Sequence, residues 1–273
     1  MKKILLPIIL LLILFPTIVA AKTTTVNLSV PFTSEIPNGK WVKPWNNACE
    51  EAVIVMIEQY YLGNKKSYLT KTEAIKLMSP LFPIEQKLFG YDSDTTIEEN
   101  NTIINDYTGF GSYIKNDPTI AEIKNELASG RPVITAHYGY DLHNPNIPWR
   151  RGGSYYHVMT IVGYDDAAQK FITNDPGNHA TGLDYRYKYA IIMGSLHDFD
   201  HATKTADGPA RVLFTTPKLA KIAGDPTVYL LKDGVKHRLA SSGILKPHGW
   251  SWKMLKTVDS AWLDSFPTGD IQN

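Results

Sequence analysis

Cysteine is all but missing from this chain: Cys49 is the only one in 273 residues. A lone thiol closes no intramolecular disulfide, so it is a buried small hydrophobe, an intermolecular linker or a reactive group. Charge of one sign is also lacking. The 28 Lys and Arg residues balance 27 Asp and Glu, and neither sign forms a long run. Nucleic acid and a membrane surface are therefore poor partners for it. Long apolar runs are confined to one place, Ile4 to Ile18, behind Lys2 and Lys3 and ahead of the small residues Ala20 and Ala21. Pro7 and Pro16 interrupt that run and the polar "KTTT" follows it, which predicts a secretory signal peptide over residues 1–21 in preference to a retained span. No cysteine follows the small residues, so no lipid anchor is expected there. The protein is expected to be secreted or extracytoplasmic, with no membrane span once the signal is removed. About 250 residues then remain, enough for one sizeable core or one domain with a small module.

The setting of Cys49 favours a reactive role. In "PWNNACEEAVIVMIEQYY", Ala52, Val53, Met56, Ile57 and Tyr60 share one helical stripe with Cys49. Asn46 and Asn47 are good N-cap residues, Glu50 stands three after Asn47 as in a capping box, and Gly63 is a stop. The spacing predicts a helix from about Ala48 to Leu62 with the thiol in its first turn. Unpaired N–H groups and the helix dipole favour thiolate there, while Glu50 and Glu51 oppose it. Nucleophilic work would need an imidazole as well.

Of eight histidines, His157 is best placed. "YYHVMTIVGYDDAAQKFITNDPG" reads as a hairpin. A three-residue loop at Asp165 to Ala167 would set Ile161 opposite Phe171 and His157 opposite Asp175, while a one-residue shift would bring Asn174 there. Opposed side chains lie roughly 4.5–5.5 Å apart at Cβ. Either partner could orient the ring and support its imidazolium.

Four stretches taken together, "VPFTSEIPNGKWVKPWNNACEEA", "GRPVITAHYGYDLHNP", "YYHVMTIVGYDD" and "FITNDPG", resemble the C39-like, papain-like cysteine peptidases of bacteria over about residues 29 to 200. The resemblance implies an α+β papain-like fold, a Cys-bearing helix packed on an antiparallel sheet that carries His and Asp. It also implies Cys49 as nucleophile, His157 as general base and acid, and Asp175 as the orienting group, with no cofactor or metal. The implied substrate is a peptide or protein, with cell-wall peptide as an alternative. Relatives commonly carry Gln where this chain has Glu35. That Gln donates a hydrogen bond to the tetrahedral oxyanion, which an ionised Glu cannot do. Either Asn46 or Asn47 replaces the donor, or Glu35 is protonated, or turnover is weak and the chain is a binding module on a peptidase fold. Trp45, Trp149, Tyr155 and Tyr156 bracket these residues as substrate contacts or as core.

Elsewhere "DPTIAEIKNELASG" predicts a helix capped by Asp117 with Pro118 at its first position, then a strand from Val133 to His137. "TKTEAIKLMSPLF" predicts a helix, "YDSDTTIEENN" a polar loop or helix start, and Gly109 to Gly111 a loop or the lining of a cleft. "HDFDH" offers His197, Asp198, Asp200 and His201, but lacks the Glu of a zinc-protease helix. Similar His-Asp endings on the family's last helix favour a structural role. A peptidase domain at 22–217 and a small surface or docking module at 218–273 are expected. The module opens on a hairpin at Asp233-Gly234 and carries Trp250, Trp252, Trp262 and Phe266.

Overall fold

The computed structural model describes residues 24–147, 149, 155–177 and 180–273, and the expected signal peptide lies outside them. In chain order the elements are β1 (Thr25–Asn27), α1 (Cys49–Tyr61), α2 (Lys71–Met78), α3 (Leu81–Phe89), α4 (Ile97–Tyr107), β2 (Phe110–Asn116), α5 (Ile120–Ala128) and β3 (Val133–Tyr138). Then follow β4 (Tyr156–Asp165), β5 (Lys170–Asn174), β6 (Tyr185–Lys188), α6 (Tyr189–Ser195) and β7 (Arg211–Pro217). The last are β8 (Leu219–Ile222), β9 (Tyr229–Lys232), β10 (Val235–Arg238), β11 (Leu255–Val258) and α7 (Ser260–Asp264). No helix among the described residues is long and apolar enough to cross a membrane.

The larger sheet is antiparallel throughout, in the order β2-β7-β3-β4-β5-β6, with β1 paired to the far end of β4. Helices cover both of its faces. Tyr156, Val158 and Val162 of β4 enter a core with α1, α2 and α4, whereas Met159 and Ile161 enter one with α5 and α6. That is why β4 is buried at every position but Asp165 rather than at alternate ones.

Local chemistry sets the helix ends. Thr70/Glu73, Thr96/Glu99 and Thr119/Glu122 form complete capping boxes at α2, α4 and α5. The α5 cap is Thr119, two residues beyond the expected Asp117, because only Thr119 has the glutamate three residues on. The segment "TKTEAIKLMSPLF" breaks at Ser79-Pro80 into two helices, and the polar stretch after it does open a helix, α4. Helix α1 stops as expected: Gly63 is left-handed, its N–H donates to Tyr60 O and that of Asn64 to Gln59 O. Its start differs. The cap is Ala48, without a side-chain hydrogen bond, behind a 3₁₀ turn at Trp45–Asn47. Asn47 donates instead to Asp94 Oδ1 at 2.7 Å, and Glu50 accepts from Thr95 N–H at 2.9 Å. The single stripe is also too narrow, since every residue from 49 to 57 is buried, Glu50 and Glu51 included.

The β4–β5 hairpin has another register. Tyr164 faces Phe171 and Asp165 faces Lys170 around a longer loop, and an irregularity between Ile161 and Gly163 leaves Thr160 opposite Asn174. On the β5 edge His157 thus lies beyond the paired residues, opposite neither Asp175 nor Asn174, and across its other edge it faces His137 of β3. Gly109 to Gly111 is not a loop either, for Phe110 and Gly111 begin β2.

Only Lys218 separates β7 from β8, where a second sheet begins in the order β10-β9-β8-β11. Asp233 and Gly234 both have positive φ and close the β9–β10 hairpin. The aromatics here form no single cluster. Trp250 stacks on His248, Trp262 and Phe266 pack together, and Trp252 is 55% exposed.

Candidate active site

Two pieces of chain converge on the N-terminus of α1. The segment after Phe32 runs past it, and the Glu35 N–H donates to Pro176 O in the loop that follows β5. Strand β4 lies against α1 and delivers His157 near its start. As a result a nitrogen of His157, the sulfur of Cys49 and a carboxylate oxygen of Glu35 all lie within 4.8 Å of one another, and all three residues are buried.

His157 Nε2 is 2.8 Å from Asp175 Oδ1, which leaves its other ring nitrogen for the thiol. The contact between them thus survives the change of register, with Asp175 one residue past the end of β5. Gly177 N–H donates to Asp175 Oδ1 at 3.1 Å, while Tyr187 O–H at 2.5 Å and Asn144 Nδ2 at 3.3 Å reach Oδ2. Sequence reasoning did not single out Asn144, Gly177 or Tyr187. Asn144 stood in a quoted motif ("HNP") and Gly177 in "NDPG", but nothing local signals Tyr187, which arrives from β6. Gly177 is required, since a Cβ there would stand 2.9 Å from His157 Cε1. Trp149 packs edge-on to the imidazole with ring centres 5.7 Å apart.

Burial by itself lowers a histidine, but the charge and hydrogen bond of Asp175 hold His157 above its ordinary 6.5. Burial would likewise raise Asp175, yet His157, Tyr187 and Gly177 hold it below 3.8. The opposed His137 is different: burial and the nearby His157 push it down to about 3, and Ser195 and Thr135 hydroxyls hold its two nitrogens, so it stays neutral.

The thiol does not gain the thiolate character that its helix position suggested. Burial, then the Glu50 and Glu35 carboxyls, push it well above 9.0, against one favourable backbone hydrogen bond from Val158. The thiol donates to Glu50 Oε2 at 3.0 Å. Cys49 thus rests as a neutral thiol, and an attack must hand its proton to a base. The Cys49 N–H finds no backbone acceptor among the described residues and remains a donor at the helix end. Glu35 makes no side-chain hydrogen bond among the described residues, and burial pushes it up to about 7.

Of the other expected site residues, Asn47 has committed its amide to Asp94, and the side-chain oxygen of Asn46 is buried without a partner among the described residues. Trp45 packs edge-on against Phe82 at 5.4 Å. Tyr156 is core: 5% exposed, its hydroxyl donates to Thr95 O at 2.9 Å. "HDFDH" follows α6 outside any helix, with His201 in a turn. Asp198 accepts from Ile97 N–H at the start of α4, His197 donates to Gly208 O, and His201 pairs with Glu99 at 3.1 Å.

A crystal structure from Bacillus anthracis described as a C39-like peptidase is 14% identical, with a TM-score of 0.44 over 70% of this chain and 97% of that one. No curated protein matches the sequence. The model of the peptidase C39-like family matches residues 28–202, a stretch that holds Glu35, Cys49, His157 and Asp175, and the chain belongs to that family.

Proposed function

We propose that this protein is a secreted thiol hydrolase that cleaves an amide bond of a peptide or protein substrate. Family membership supports a peptidase-type hydrolase. The observation that carries the reading is a His157 nitrogen within 4.8 Å of the Cys49 sulfur, on a ring whose Nε2 lies 2.8 Å from Asp175. His157 takes the thiol proton as the sulfur attacks the carbonyl carbon, then returns it to the leaving amine. Water, deprotonated by the same ring, releases the acyl group from Cys49. Asp175 steadies the imidazolium, and the Cys49 N–H faces the oxyanion. Secretion rests on the leader sequence alone.

Wild type and variants are to be incubated with a proteome-derived peptide mixture and with purified cell wall, with cleavage read by mass spectrometry. Cys49→Ala and His157→Ala each remove nearly all hydrolysis, Asp175→Ala leaves a small remainder, and the losses combine far from additively. Wild-type rates in His157→Ala would overturn the assignment. Products from the wall alone would make the enzyme a cell-wall amidase or endopeptidase.

One observation favours a second reading, a peptidase-fold binding module with little turnover: the buried thiol gives its proton to a hydrogen bond with Glu50 Oε2 at 3.0 Å. A thiol-directed probe at neutral pH separates the two. Labelling of Cys49 that depends on His157 supports the hydrolase, and an inert thiol in the folded protein supports the module.

A further inference from the structure

We propose that Glu35, Cys49 and His157 form a binding site for one zinc ion, and that the bound ion silences the thiol. A sulfur, an imidazole nitrogen and a carboxylate oxygen within 4.8 Å of one another are a donor set suited to zinc and not to magnesium or calcium. In a tetrahedral zinc shell such ligand atoms sit roughly 3.3–3.6 Å apart, so the three side chains need to close by no more than about 1.5 Å.

Glu35 is the residue that turns a two-ligand pair into a three-ligand site. It is 5% exposed, it lies beside His157, and its carboxylate has no hydrogen-bond partner among the described residues to hold it back. The fourth position stays open to water. Thiolate and carboxylate together match the two charges of the ion, which makes the buried complex electrically favourable where either anion alone is costly. The outer partners are also present. Asp175 fixes the far nitrogen of His157 and is itself held by Tyr187 and Asn144, an arrangement that orients a ligating imidazole.

Binding forms Zn–S, Zn–N and Zn–O bonds. The thiol proton, and that of Glu35 where present, pass to the buffer, and no electrons are exchanged. With the sulfur and the free imidazole nitrogen both ligated, neither attack nor proton transfer can proceed. This silencing rests on the hydrolase reading, whereas the binding does not.

The test uses the full protein freed of metal by a chelator. Calorimetric titration with Zn²⁺ is expected to give one ion per chain, and Co²⁺ in its place a thiolate-to-cobalt charge-transfer band. Cys49→Ser removes the band. Glu35→Gln, nearly the same shape and checked for folding by circular dichroism, weakens binding by at least about tenfold. Zinc stops peptide hydrolysis and chelation restores it. Absence of stoichiometric binding, a cobalt complex without the band, or unchanged affinity in Glu35→Gln each overturns the site, and hydrolysis that continues at saturating zinc overturns the silencing. Lack of hydrolysis by the metal-free protein would instead count against the hydrolase reading and leave the binding result intact.

Discussion

Glu35 is the residue on which the chemistry of the site turns. Burial is the largest influence on it, opposed by His157 and reinforced by Asp175 and Asp94, and together they bring the carboxyl to about 7. Below that pH the protonated form can donate to an oxyanion, and above it the ionised form only accepts. The donor is therefore present on the acid side and lost as pH rises through 7. Glu35→Gln keeps a donor at every pH. The ratio of the variant's kcat/KM to that of wild type is the quantity to follow, with the thiol titrated separately in each protein because the Glu35 charge also raises Cys49. Measured on one peptide with chelator present, the ratio should be near one below pH 6. It should reach about tenfold or more above pH 8, within what a single oxyanion donor contributes. A ratio that stays flat across pH 7 would remove Glu35 from the oxyanion.

At the scale of elements, α1 is unusual in carrying carboxyls into the core. Glu50 and Glu51 in its first turn and Glu85 of α3 are each 1% exposed. Burial comes first, joined at Glu50 by the charge of Asp94 and at Glu85 by that of Glu50, and raises both to about 8; burial with the Glu85 and Glu50 charges raises Glu51 well above 4.5. Glu51 and Glu85 can bond to each other only when one keeps its proton, and both oxygens of Glu51 are otherwise without partners among the described residues. The unfolded chain releases these protons near the ordinary value of 4.5, while the folded chain holds those of Glu50 and Glu85 to about 8. Their contribution is thus complete below 4.5 and is lost as pH rises through 8. Scanning calorimetry should show Tm falling between pH 5.5 and 8.5 by more than about 2–4 °C, the shift that 1 kcal/mol produces in a chain of this size. Glu85→Gln removes one of the charges and should flatten the decline. An unchanged slope in that variant would mean that the trio does not titrate with folding.

At the scale of the whole molecule the two sheets keep separate cores. The apolar clusters of the larger sheet contain nothing beyond Phe214, and those of the smaller sheet begin at Leu219. Between them the contacts are specific and mostly polar. Asn101 and Asn105 donate to Asp233 at 2.7 and 2.8 Å, Lys232 pairs with Asp106, the Arg131 guanidinium lies 4.4 Å over Trp262, and Tyr113 meets Phe266 at 5.7 Å. The buried Lys218 amine donates to the carbonyls of Asn105 and Phe110, so it belongs with the larger body. A chain ending at Lys218 is therefore predicted to fold and to hydrolyse a small peptide, with Tm lowered by the lost contacts, and any association with cell surfaces is predicted to weaken. Aggregation of that shorter chain, or loss of its cooperative unfolding, would show that the second sheet completes the fold.

What the sequence determined by itself was local or repeated. The Gly63 stop, the Asp233-Gly234 turn and strand β3 follow from backbone preferences that act within a few residues. The choice of His157 and Asp175 followed from where they fall along a hairpin and from four family motifs in order. The partners across the fold were decided only by tertiary structure. The hairpin register depended on an irregularity in β4 and a longer loop, which no alternation of apolar residues reveals. Asn47 and Glu50 left the capping box because Asp94 and Thr95, nearly fifty residues on, offered them buried partners. Tyr187 reached Asp175 because β6 lies beside β5. The protonation of Cys49, Glu35 and Glu50 was likewise set by burial, and burial is a property of the assembled core that no stretch of sequence carries alone.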